Sequence, residues 1–172
     1  MEGRMMEKTE HPRDQDTATG FAILIVSDSR TEASDESGKL AKKILTQEGL
    51  TVVAYKIVKN DKVAIQTAMM TFLHDERIGV IITSGGTGIS SRDVTVDVMS
   101  SLFEKTLLGF GEFFRKNSRE EIGEAAMISR ATAGIIDGKA IFCLPGSKNA
   151  MKSGLTKLVL PGLGHLLWEA NR

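Results

Sequence analysis

Phe21-Ala-Ile-Leu-Ile-Val26 is an unbroken apolar run rich in β-branched side chains, preceded by Gly20 and followed at once by Ser27-Asp28-Ser29. A surface helix hides one stripe of its residues and a half-exposed strand hides alternate ones. A short continuous run fenced by turn-forming residues predicts a strand buried on both faces. Working outward, residues 34–49 place Leu40, Ala41, Ile44 and Leu45 on one stripe and stop at Gly49, which predicts a helix. Residues 51–58 predict a second strand. Asn60 or Asp61 then stands where a helix cap is needed, ahead of Val63, Ala64, Ala68, Met69, Phe72 and Leu73. Residues 78–83 predict a third buried strand. Helices are expected at 94–103, 111–116 and 122–128, and again at 147–159 and 162–170. Residues 133–136 and 140–144 form a strand pair closed by Asp137-Gly138, a good hairpin turn. Strands alternating with helices predict a doubly wound α/β sheet, in which the hairpin sets one strand antiparallel.

The chain has 172 residues, enough for one domain with or without a tail. Lys plus Arg and Asp plus Glu both number 22, so the net charge is zero. A bulk polycation for nucleic acid or for an anionic membrane is therefore not expected. Cys143 is the single cysteine, which rules out an internal disulfide and suits a cytoplasmic protein. No apolar run approaches the roughly 20 residues of a membrane span, and the charged start of the chain does not read as a signal peptide. Residues 1–20 hold Arg4, Lys8 and Arg13 against Glu2, Glu7, Glu10, Asp14 and Asp16, with only three methionines as large apolar groups. Such a composition cannot offset its ordering entropy, so a flexible polar arm is expected there, with the domain proper at residues 21–172.

Ligands of open α/β sheets bind at the carboxyl ends of the parallel strands. Those ends carry Ser27-Asp28-Ser29-Arg30, Asn60-Asp61, Ser84-Gly85-Gly86-Thr87-Gly88 with Ser90-Ser91-Arg92-Asp93, and Pro145-Gly146-Ser147. The Gly85-Gly86-Thr87-Gly88 loop is either a plain turn or an anion cradle, since glycines let backbone N–H groups come close to a phosphate and the helix behind adds its positive end. It is neither a P-loop nor a dinucleotide fingerprint. Asp61 and Asp93 read either as a helix cap and a partner of Arg92, or as carboxylates for a Mg²⁺ ion shared with phosphate oxygens. His11, His74 and His165 lack metal-ligand spacing, and Cys143 reads as a core thiol. The C-terminal leucines Leu163, Leu166 and Leu167, with Trp168, read as a self-association face.

Ile82-Thr-Ser-Gly-Gly-Thr-Gly-Ile-Ser-Ser-Arg-Asp-Val-Thr95 closely resembles the signature loop of the MoaB/MogA molybdenum cofactor biosynthesis proteins, a module also found in the G domain of gephyrin. The resemblance extends through Val26-Ser-Asp-Ser29, Asp35-Glu-Ser-Gly38, Gly109-Phe-Gly-Glu112, Ser129-Arg-Ala131 and Leu144-Pro-Gly-Ser147, and so spans essentially everything after the arm. The compact length and polar arm look more like MoaB than MogA. The resemblance implies a three-layer α/β/α fold assembled as a trimer or a dimer of trimers. It implies molybdopterin adenylyltransferase activity, with AMP passing from Mg-ATP to molybdopterin, ahead of insertion of molybdenum or tungsten. A non-catalytic molybdopterin carrier is the alternative. Carried over by position, Asp61 and Asp93 fall on the family's two acidic residues, for Mg²⁺-ATP positioning and catalysis. Gly85, Gly86, Thr87 and Gly88 fall on its phosphate contacts, in a loop that also holds Ser84, Arg92 and Thr95. Ser129, with Arg130 beside it, falls near the pterin phosphate. Asp28, Ser29, Asp35 and Gly38 line the nucleotide side, and Pro145, Gly146 and Ser147 complete the pocket floor. Arg92-Asp93 and Asp61 are intact, which favours an active enzyme, whereas Ile89 stands where the family often has proline.

Overall fold

The computed structural model describes residues 19–172, so the expected arm, all but Thr19 and Gly20, lies outside the described residues. Gly20 already belongs to the first strand. The strands are β1 (Gly20–Val26), β2 (Val52–Val58), β3 (Ile78–Ser84), β4 (Lys105–Thr106), β5 (Thr132–Ile136) and β6 (Lys139–Leu144). The helices are α1 (Glu36–Gln47), α2 (Lys62–Leu73), α3 (Thr95–Leu102), α4 (Leu108–Ile122), α5 (Lys148–Ser153) and α6 (Leu160–Ala170).

The sheet order is β2-β1-β3-β6-β5-β4. β2, β1, β3 and β6 are parallel, and β5 runs antiparallel to both β6 and β4. Every residue of β1 is buried, as its unbroken apolar run requires. Phe21, Ile23 and Ile25 point into one core with Ala41 and Leu45 of α1, Phe114 of α4, and Met151, Leu163 and Leu167 near the C-terminus. Ala22, Leu24 and Val26 point into the other, against Ile65, Ala68 and Met69 of α2 and Val98 and Met99 of α3. The result is three layers, α/β/α. Each fully buried aliphatic side chain of β1 contributes about 1.5–3 kcal/mol of hydrophobic stabilisation. Among the described residues no helix is long and apolar enough to cross a membrane.

The expected elements differ from the observed ones in three places. The helix expected at residues 111–116 runs from Leu108 to Ile122 and is followed by a 3-10 segment, Gly123–Ile128. Gly109, Gly111 and Asn117-Ser118 dilute its apolar stripe and hide its length. The two expected C-terminal helices are continuous. A π-helical turn, Gly154–Val159, joins α5 to α6, with Pro161 at the start of α6. Proline has no N–H to offer and its ring crowds the carbonyl four residues back; a widened turn relieves that crowding where an ordinary α turn would break. Leu163 and Leu167 are core residues rather than a self-association face. The third difference is β4, which is too short to show alternation in sequence and pairs with Ile135 and Gly134.

Candidate functional site

β1 is followed in sequence by β2 on one side and in the sheet by β3 on the other, so the carboxyl ends of β1 and β3 flank the point where the winding direction switches. The strand-end loops meet there. The Asn60 N–H donates to Asp28 Oδ1 (3.1 Å), Arg92 forms an ion pair with Asp28, and the Val94 N–H reaches Asn60 Oδ1 (3.5 Å). The Gly85 N–H donates to the Leu144 carbonyl (2.9 Å), and Arg30 donates to the Gly146 carbonyl (2.7 Å).

Beside these loops lies a cavity of about 370 Å³. One wall is backbone, from Gly85, Gly86, Thr87 and Gly88 with Asp93, and from Pro145, Gly146 and Ser147. The opposite wall is largely apolar, with Phe114 and Ile122 of α4, Ala125 and Ile128 of the 3-10 segment, and Ala150 of α5; Ser118, Glu121, Ser129, Asn149 and Ser153 supply the polar spots. Gly85 and Gly86 have φ of 107° and 66°. A Cβ on Gly85 would collide with the Val26 carbonyl and one on Gly86 with the Thr95 hydroxyl, so both need glycine. Among the described residues, the N–H groups of Gly86, Thr87 and Gly88 find no acceptor in the protein. Three free N–H groups in a loop with positive φ are a geometry suited to receiving an anion.

Asp93 accepts a hydrogen bond from the Ser90 N–H at Oδ2 (3.0 Å), which leaves Oδ1 uncommitted and the carboxylate on the cavity wall. Arg92 does not pair with it. Asp61 is exposed and caps α2, Oδ1 accepting from the Ala64 N–H (2.9 Å), and it does not line the cavity. Asp35 is completely buried and caps α1: it accepts from the Gly38 N–H (3.0 Å), from Ser37 Oγ (3.0 Å) and from the Tyr55 hydroxyl (2.6 Å). The phenol's own pKa is pushed up, first by burial and then by this bond. A Cβ on Gly38 would strike Asp35, so this pair builds the start of α1 and presents nothing to the cavity. Ser84 donates to the Pro145 carbonyl (3.3 Å). The buried hydroxyl of Thr95 has no partner among the described residues and packs beneath Gly86. Asp28 and Ser29 are exposed on the rim. Ser129 reaches the cavity, but Arg130 turns away from it toward the glycine loop and Asp97. Sequence reading missed the α4 and α5 side of the cavity. The signal was present in the spacing of Phe114, Ser118, Glu121 and Ile122, which share one helical face.

A glycine loop with free N–H groups, opposite an apolar wall at the switch point of a parallel sheet, defines an α/β ligand-binding protein suited to a molecule with a phosphate at one end and a flat apolar body. Residues 22–165 match the family described as a probable molybdopterin binding domain. The chain is 45% identical over 168 residues to molybdenum cofactor biosynthesis protein B of Bacillus anthracis, covering 97% of this chain and 99% of that one. A crystal structure of a molybdenum cofactor biosynthesis protein B superposes with a TM-score of 0.87 at 45% identity, over 90% of this chain and 96% of the other. The tungsten cofactor synthesizing protein MoaB from Pyrococcus furiosus superposes with a TM-score of 0.80 at 39% identity, over 90% and 98%. The chain belongs to the molybdopterin-binding-domain family of molybdenum cofactor biosynthesis proteins, and it matches the MoaB branch over nearly its full length.

Proposed function

We propose that the protein is a molybdopterin adenylyltransferase. A terminal phosphate oxygen of molybdopterin attacks the α-phosphorus of ATP, the bond from that phosphorus to the bridging oxygen of the β-phosphate breaks, and pyrophosphate leaves. The observation that carries this reading is the run of unclaimed N–H groups at Gly86, Thr87 and Gly88 beside the Asp93 carboxylate, facing an apolar wall that fits a flat heterocycle. Transfer of this kind asks the protein mainly to align the phosphates and to neutralise charge. Amide donors supply the second requirement without a covalent nucleophile.

Of the two expected carboxylates, Asp93 stands on the cavity wall where it would hold Mg²⁺, and Asp61 stands outside it. Asp61 and Asp93 each commit one oxygen to backbone and leave the other free. Among the described residues no three His, Cys, Asp or Glu side chains gather into a cage, and Mg²⁺ is a cation that takes few protein ligands and completes its shell with phosphate and water. When bound it would neutralise charge on the phosphates. The exposed Leu108, Phe113 and Met127 along α4 and the 3-10 segment, outside the cavity, support assembly into trimers or dimers of trimers. The buried thiol of Cys143 accords with a cytoplasmic setting.

One observation favours the carrier alternative: Asp61 caps α2 outside the cavity. Incubating the purified protein with Mg-ATP and molybdopterin separates the two. Adenylylated pterin and pyrophosphate in equal amounts are expected, whereas tight pterin binding without product would establish the carrier.

A further inference from the structure

Arg130 is the most heavily bonded side chain near the cavity. Its Nε donates to the Gly88 carbonyl (2.8 Å) and Nη2 to the Asp93 carbonyl (2.7 Å). Nη1 and Nη2 both reach the Asp97 carboxylate (3.0 Å each). Its backbone N–H donates to the Thr87 carbonyl (3.0 Å), and the neighbouring Thr95 N–H takes the Gly86 carbonyl (3.1 Å). The carbonyls of Gly86, Thr87 and Gly88 are thus all engaged by donors from Arg130 and the start of α3. The N–H of each following residue points the opposite way across the planar peptide. Anchoring the Gly86 and Thr87 carbonyls therefore turns the N–H groups of Thr87 and Gly88 away from α3 and Arg130 and leaves them unclaimed. The Asp97 carboxyl is held below the usual carboxylate range, chiefly by its hydrogen bond from Arg130.

We propose that Arg130 is a positioning residue: its backbone N–H holds the Thr87 carbonyl, and its guanidinium, gripped by Asp97, ties the Gly88 carbonyl to that of Asp93, so that the glycine loop and the Asp93 carboxylate are held in place for a phosphate ligand without Arg130 touching it. This rests on the reading of the cavity as a phosphate-ligand site, and it revises the expectation that Arg130 stands among the ligand contacts. Four hydrogen bonds to protein acceptors leave the guanidinium one of its five N–H donors for anything else.

The telling variant is Asp97→Asn. Removing a negative charge near the site should help an anion bind on Coulomb grounds alone. The proposal predicts the opposite. Calorimetric titration of the full chain with ATP, and separately with inorganic pyrophosphate, is expected to show about tenfold weaker binding, the scale of losing a charge-assisted hydrogen bond. Arg130→Lys should weaken binding similarly, because a single ammonium cannot span two carbonyls and a carboxylate. It should leave the salt dependence of binding unchanged, since no charge that meets the ligand is lost. Without any ligand, amide hydrogen exchange at Asp93, whose N–H closes the turn onto the Ser90 carbonyl between the two carbonyls that the guanidinium ties, should quicken in both variants. Unchanged or tighter binding by Asp97→Asn, a shallower salt dependence in Arg130→Lys, or wild-type exchange at Asp93 would each overturn the proposal. Wild-type protein that binds neither ATP nor pyrophosphate would remove the phosphate-site reading, and the proposal with it, whatever the exchange measurement shows.

Discussion

The loops that follow β3 and β6 leave neighbouring parallel strands and line the same cavity, yet they satisfy their backbones in different ways. The β6 loop is anchored by side chains at its carbonyls and at the start of α5, while its Gly146 and Ser147 N–H groups, like those of the β3 loop, find no acceptor among the described residues. Ser147 accepts the Ala150 N–H (3.1 Å) and caps α5, while the carbonyls of Pro145 and Gly146 are taken by Ser84 and Arg30. The β3 loop caps nothing: Val94 at the head of α3 makes no side-chain cap bond. Arg130, distant in sequence, holds its Thr87 and Gly88 carbonyls, and the N–H groups of Gly86, Thr87 and Gly88 stay open. Glycine also serves differently in the two. Gly85 and Gly86 need it for positive φ, whereas Gly146 needs only room to pass Gly85, where a Cβ would sit at an ordinary 3.4 Å from the Gly85 Cα. Both loops leave N–H groups open toward the cavity; what sets the β3 loop apart is its positive-φ glycines and its longer run of open donors.

The comparison can be tested most severely at Asp93. Asp93→Ala, which spares the β6 loop, is expected to lower adenylylated-pterin formation on the order of 100-fold or more, the scale of losing a charge-stabilising group. Unchanged turnover would remove Asp93 from the reaction. Next come the glycines. Gly85→Ala forces a side chain into a left-handed conformation and against Val26, and should cost about 1–3 kcal/mol in urea unfolding. Gly146→Ala should stay within about 0.5 kcal/mol of wild type. Equal losses at the two sites would erase the distinction. Ser147→Ala removes the cap of α5 and should lower stability by about 1 kcal/mol, seen as a melting point about 2–4 °C lower.

The smallest effect is expected beneath both loops, at Cys143, the register partner of Thr83. Burial pushes this thiol up to about 12. The unfolded chain can release the proton near pH 8.5 and the native state cannot, so this contribution to stability is complete below about pH 8.5 and declines as pH rises toward the folded value. Between pH 8 and 9 the loss should be under about 1 kcal/mol, and native protein at pH 8 should resist a thiol reagent that labels it in urea. Labelling without denaturant would show that the sheet beneath the loops opens.

Much of this architecture was legible because its signals are local. The apolar runs of β1, β3 and β6 announce strands buried on both faces. Asp137 and Gly138, with φ of 49° and 71°, form the hairpin turn that their residue types predict. The glycine motif located the cavity because positive φ and close backbone approach leave few other choices. What stayed hidden depends on partners distant in sequence. Asp35 and Asp93 both follow strands and look alike as letters; burial under Tyr55 makes one a scaffold, and the cavity leaves the other exposed to a ligand. Arg130 reads as a cation beside a phosphate site until Asp97, 33 residues away, is seen to hold it. The apolar wall from α4 was obscured because glycines and polar residues interrupt its stripe.

The π-helical turn ahead of Pro161 has a consequence for the whole C-terminal arm of the domain. Met151, Leu155, Val159, Leu163 and Leu167 all enter the same core at a constant spacing of four residues. An α-helix overshoots a full circle by about 40° at each such step, so four steps would carry the last leucine well around toward solvent. A turn widened to an i→i+5 pattern undershoots instead and takes back part of that drift. The turn works as a vernier between helix pitch and sheet face: with it, one uninterrupted rod keeps contact with the sheet from the cavity end, at Ala150 and Ser153, to the chain's final residues.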